Sequence, residues 1–80
     1  MKLSIYSIKN ILFQGDAVSL NCKTPIGEIT VLDNHESLIA ELSAGQIKVT
    51  DKNNKESFYE IESGFLEVKS ENEVRVIVEQ

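Results

Sequence analysis

Side chains able to act as nucleophile, general base or metal ligand are scarce in this sequence: one cysteine, Cys22, one histidine, His35, and 13 aspartates and glutamates spread over 80 residues. Covalent catalysis needs a nucleophile, a base and a stabilising group brought together. Cys22 shares strand parity with Val18 and Leu20, so it is expected to face a core as a small hydrophobe and not to react. His35 lies in the polar run Asp33-Asn34-His35-Glu36, where a solvated or locally hydrogen-bonded imidazole is expected. With no second histidine, it cannot fill a zinc site without several carboxylates. Asp51-Lys52-Asn53 opens a window that closes on Glu62 at the spacing of a calcium-binding loop. That reading fails because Lys55 takes a ligand position, Glu56 stands where glycine is required, and the flanks are strand-like. The glycines at 15, 27, 45 and 64 are too far apart to cradle a phosphate. Neither a catalytic residue nor a metal or cofactor is expected.

Composition narrows the partners. The formal net charge of -5 gives no electrostatic footprint for a phosphate backbone or an anionic membrane surface, so nucleic acid is not an expected partner. The first residues, Met1-Lys2-Leu3-Ser4-Ile5-Tyr6-Ser7, contain no apolar region of signal-peptide length. No run approaches the ~18 apolar residues of a spanning helix, so direct membrane insertion is not expected either. A lone cysteine forms no internal disulfide, which favours a reducing compartment. Residues 1–80 are read as one domain whose core comes from packing alone.

The elements that must carry these residues are strands. Apolar residues alternate at Leu3 and Ile5; Val18, Leu20 and Cys22; Ile29 and Val31; Ile47 and Val49; Leu66 and Val68; and Val74, Val76 and Val78. Gln14-Gly15-Asp16, Thr24-Pro25-Ile26-Gly27, Asp51-Lys52-Asn53-Asn54-Lys55 and Ser70-Glu71-Asn72 read as turns. Two hairpins stand out, Gln46–Thr50 with Glu56–Glu62 and Phe65–Lys69 with Glu73–Val78. Many short strands, each with one apolar and one polar face, predict an all-β domain of two packed sheets. Only Asn34–Leu42 is left undecided, because Leu38, Ile39 and Leu42 also suit one face of a helix.

Three stretches then resemble a known family, the epsilon subunit of F-type ATP synthases. Gly27-Glu28-Ile29 through His35 and Leu38 to Gly45-Gln46-Ile47 is similar to its Gly-Glu-Leu/Ile strand, histidine turn and following strand. Ser63-Gly64-Phe65-Leu66-Glu67-Val68 is similar to its Gly-Gly-Phe-Leu-Glu-Val segment, and Phe13-Gln14-Gly15 to its Phe-Ser/Gln-Gly element. The matches run in order across essentially the whole chain.

The resemblance implies a flattened β-sandwich of about ten short, mostly antiparallel strands. It implies a non-catalytic rotor part that packs against the gamma subunit and stands on the membrane c-ring, at the cytoplasmic face of the plasma membrane. Carried over residue by residue, Glu28 and His35, with the added carboxylate of Asp33, fall at the c-ring contact. Ser7, Ala40 and Gln46 fall on the gamma side, with Leu38, Ile39 and Leu42 as its apolar centre. Asp33-Asn34 replaces the family's Pro-Gly before the histidine, and Glu36-Ser37 its Ala-Pro after it. Asn34 is expected to take the left-handed conformation that glycine takes more cheaply. Typical members continue into a helical hairpin that can inhibit rotation and in some binds ATP. This sequence ends at Glu79-Gln80, so a sandwich without the hairpin's regulatory role is expected. The alternative is a free-standing small β-sandwich interaction module.

Overall fold

A computed structural model describes residues 1–80. It contains nine strands: β1 Lys2–Tyr6, β2 Ile11–Asp16, β3 Ser19–Thr24, β4 Gly27–Leu32, β5 Leu38–Leu42, β6 Gly45–Thr50, β7 Glu56–Ile61, β8 Ser63–Lys69 and β9 Glu73–Glu79. They form a five-stranded sheet in the order β2-β1-β9-β8-β5 and a four-stranded sheet in the order β4-β3-β6-β7. Every pairing is antiparallel except that of β1 with β9.

Period-two burial explains why the sheets stack. Leu3 and Ile5, Leu20 and Cys22, Ile47 and Val49, Leu66 and Val68, and Val74, Val76 and Val78 all turn into one cluster of 16 buried hydrophobic residues. Covering each such side chain is worth roughly 1.5–3 kcal/mol, enough to hold the layers without a disulfide. No polar or charged residue is buried. The cysteine is among the core residues, and burial pushes its thiol up to about 12.

Turn chemistry follows the residue types. Thr24 Oγ1 donates to the Gly27 carbonyl at 2.6 Å and closes the Pro25–Ile26 reversal. Asp51 Oδ1 accepts from the backbone of Asn53 at 2.8 Å and of Lys55 at 2.9 Å, so the carboxylate of the calcium-like window organises its own hairpin. At the β8–β9 reversal Glu71 and Asn72 both have positive φ, 64° and 59°. Lys69 pairs with Glu73, so Ser70–Asn72 form a three-residue loop.

One reading changes and one is resolved. Gln14-Gly15-Asp16 is no turn: it lies inside β2, with Gly15 opposite Leu3. The reversal sits earlier, where Ser7 N donates to the Asn10 carbonyl at 2.9 Å. β2 is an edge strand without clean alternation, its register slipping at Ile5/Tyr6, so its turn-forming residue types outweighed its weak pattern. The undecided stretch resolves into a turn followed by β5. Asn34 takes φ 61°, the left-handed conformation expected of it. Strand parity in β5 turns Leu38, Ala40 and Leu42 inward and Ile39 and Glu41 outward. The nine strands agree with the sandwich of about ten that was expected.

Candidate docking surfaces

Strand directions sort the connections to two ends of the sandwich. At one end lie Met1, the β4–β5 turn with Asp33 and His35, the Asp51–Lys55 turn and the Ser70–Asn72 turn. At the other lie Ser7–Asn10, Pro25–Ile26 and Gln80. Glu28 and the pair Asp33 and His35 therefore sit at opposite ends of edge strand β4. At ~3.3 Å rise per residue, five residues separate Glu28 from Asp33 by about 17 Å.

Glu28 is exposed and stands across from Lys23. The Asp33 carboxylate accepts from the Met1 α-ammonium and from Asn72 Nδ2. The hydrogen bond from the chain terminus, then that from Asn72, hold the carboxyl below the ordinary carboxylate range. His35 is half-buried, and its Nδ1 lies 2.8 Å from the Glu36 carbonyl oxygen. A carbonyl only accepts, so Nδ1 is the donor in that contact. No three His, Cys, Asp or Glu side chains gather to hold a metal ion.

The residues expected on the gamma side are dispersed. Ser7 caps the β1–β2 turn, its Oγ accepting from Asn10 N at 3.2 Å. Ile39 points outward and is 76% exposed, whereas Leu38 and Ala40 are half-buried against the core. Leu42 is only 2% exposed, so it belongs to the core and offers no surface to a partner. Gln46 is exposed on the outer face of the four-stranded sheet, the opposite side of the molecule.

Sequence reasoning missed an apolar surface that spans four strands. Tyr6 is paired with Ile11 on one side and Ile77 on the other, and Ile77 is paired with Phe65. One apolar row thus crosses β2, β1, β9 and β8 on the outer face of the five-stranded sheet. Ile11 is 67% exposed, Phe65 59% and Ile77 45%, and Ile8 stands free in the turn beside them. Phe65 and Ile77 help line a depression of about 510 Å³ next to Ser7 and Ile8. The available signal was Phe65 between Gly64 and Leu66 and Ile77 between Val76 and Val78, apolar residues at positions that alternation assigns to solvent. A second apolar groove, about 590 Å³, opens between edge strands β4 and β5, where Ile26, Ile29 and Ile39 meet Glu28 and Glu41.

Over residues 1–80 the sequence matches the family model described as ATP synthase, Delta/Epsilon chain, beta-sandwich domain. The chain belongs to that family. ATP synthase epsilon chains resemble it along most of its length. That of Dichelobacter nodosus is 34% identical over 70 residues, covering 88% of this chain and 49% of the relative. That of Clostridium novyi is 36% identical over 74 residues, covering 91% of this chain and 56% of the relative. The chain thus spans about half the length of the curated relatives it matches. Among solved structures, a chain of the Euglena gracilis mitochondrial ATP synthase (OSCP/F1/c-ring, rotational state 1) superposes on all of it with a TM-score of 0.94 at 23% identity, 51% of that chain being covered. A chain of the Tetrahymena thermophila mitochondrial ATP synthase central stalk/c-ring gives 0.86 at 14% identity, with 63% covered. At such identities the likeness shows the fold alone, which agrees with the all-β architecture described above.

Proposed function

We propose that this domain is a non-catalytic central-stalk part of an F-type ATP synthase, linking the gamma subunit to the membrane c-ring and so coupling ion translocation to ATP synthesis. Family membership supports the reading, and the apolar row of Ile11, Tyr6, Ile77 and Phe65 is the observation that carries it. A monomeric surface rarely keeps such a contiguous apolar stripe uncovered, and a stripe bordered by polar residues is the anatomy of a protein interface. The gamma subunit packs on this face, with Ser7 and Ile39 at its margins.

The c-ring contact runs along edge strand β4. Glu28 at the start of the strand and His35 beyond its end are too far apart to hold a small ligand, but a broad ring surface reaches both. Glu28 has no ion-pair partner within the domain, so its carboxylate is available to a basic group on the ring. Torque then passes through a rigid two-layer sandwich that uses no cofactor. The domain is held peripherally at the cytoplasmic face of the plasma membrane by its partners. Size-exclusion chromatography with the gamma subunit of the same organism tests the reading: a 1:1 complex is expected, and separate elution at micromolar concentrations overturns it.

A further inference from the structure

The turn that carries His35 is not held by its own residues alone. Two asparagines 38 positions apart, Asn34 and Asn72, both adopt left-handed backbone conformations, at φ 61° and 59°. They meet at the same end of the sandwich. Asn34 N donates to Asn72 Oδ1 at 2.7 Å. Because that partner can only donate, the side-chain amide is oriented with its nitrogen toward Asp33, where Nδ2 donates to the Asp33 carboxylate at 3.3 Å. The Asn72 backbone carbonyl in turn accepts from Lys2 N at 2.9 Å, fixing it to β1. Asn72 thus grips the two residues that immediately precede His35 and fastens them to the five-stranded sheet. The only further backbone tie of the turn itself is His35 N to the Leu32 carbonyl at 3.2 Å.

We infer that Asn72 is the positioning residue of the His35 turn, setting from the β8–β9 hairpin the orientation in which His35 and Asp33 are presented. The consequence for assembly rests on the reading of this turn as part of the c-ring contact. The two asparagines do different work. At position 34 only the backbone N–H takes part, and the side chain makes no hydrogen bond, so any residue comfortable at positive φ will serve. At position 72 both ends of the side-chain amide are engaged, so a glycine there satisfies the backbone but releases the turn.

Matched glycine variants separate these roles without the strain that alanine would meet at positive φ. In the 80-residue chain, Asn72→Gly is expected to speed hydrogen exchange at the Asn34 amide about tenfold, the loss of one hydrogen bond. It should also move the His35 ring resonances and raise the Asp33 titration, while core amides such as those of Leu20 and Val76 keep their protection. Asn34→Gly should leave the His35 resonances and the Asp33 titration unchanged. Equal behaviour of the two variants, or an undisturbed His35 in Asn72→Gly, overturns the inference. Affinity for purified c-ring, measured on the same variants, should fall several-fold for Asn72→Gly alone. A released turn with unchanged ring affinity would instead overturn the contact assigned to the turn and leave the positioning role standing.

Discussion

The two outer faces of the sandwich are built from strands of similar length and composition, yet they present opposite surfaces. On the four-stranded sheet Asn21 Nδ2 donates to Thr30 Oγ1 at 2.9 Å, and Lys48 pairs with Glu56 at 3.6 Å. Its large exposed apolar residues, Leu32 and Phe58, stand apart on edge strands β4 and β7. On the five-stranded sheet the Arg75–Glu67 and Lys69–Glu73 pairs occupy the end near the chain start, and the row from Ile11 to Phe65 crosses the sheet toward the other end. Scattered apolar residues on a surface need no explanation, but a row in register across four strands does. The difference teaches that register, and not composition, sets the apolar row apart, and the row is the face proposed for docking.

The largest expected effect comes from placing a charge in that row. Phe65→Lys or Ile77→Lys should weaken gamma binding by roughly a hundredfold or more, the scale of an interface hot spot. Phe58→Lys, the same change on the other face, should leave binding unaltered. Titration calorimetry on the three variants checks this, with urea unfolding to confirm that each stays folded. Next in size is Gly64→Ala. A Cβ at Gly64 would sit 2.6 Å from the Ile77 carbonyl oxygen, so the glycine is what lets β8 and β9 approach and bring Phe65 beside Ile77. Backbone displacement of this kind costs about 1–3 kcal/mol, visible as a lowered Tm, and gamma binding should weaken with it.

How much of this was legible in the sequence depended on distance along the chain. The hairpins at Asp51–Lys55 and Ser70–Asn72 and the inward residues of β3, β6, β8 and β9 followed from local alternation and turn chemistry. β2 did not, because an edge strand carrying Ile11, Leu12 and Phe13 in succession has no period-two signature. The apolar row depends on the parallel pairing of β1 with β9, whose partners Tyr6 and Ile77 are distant in sequence. The family resemblance supplied residue matches such as Ala40 and Gln46, with Leu42 placed beside them as part of an apolar centre, but not their orientation, which parity in β5 and β6 decides. The clasp from Asn72 to Asp33 and Asn34 likewise joins segments that no local pattern links.

Smaller effects concern the edge and the ends of the molecule. Glu28→Lys reverses a charge at the start of β4 and should lower c-ring affinity about tenfold with stability within ~0.5 kcal/mol of the parent. Unchanged affinity in a pull-down with purified ring would remove Glu28 from the contact. The smallest effect is one of pH. The Asp33 carboxyl is held below its ordinary value of 3.8 in the folded chain, so on acidification the unfolded chain takes up its proton first. Its contribution is therefore present above the unfolded value and is lost as pH falls through the lower folded one. Urea midpoints between about pH 2 and 5 should fall less steeply for Asp33→Asn than for the parent. Parallel slopes would show that the carboxylate's ties do not favour folding.

Site-directed photocrosslinking in the assembled synthase, with a benzophenone amino acid placed at Ile77 or at Phe58, compares the two faces within one complex. A crosslink to the gamma subunit from position 77 and none from position 58 is the predicted result; a gamma crosslink from position 58 alone would contradict the account.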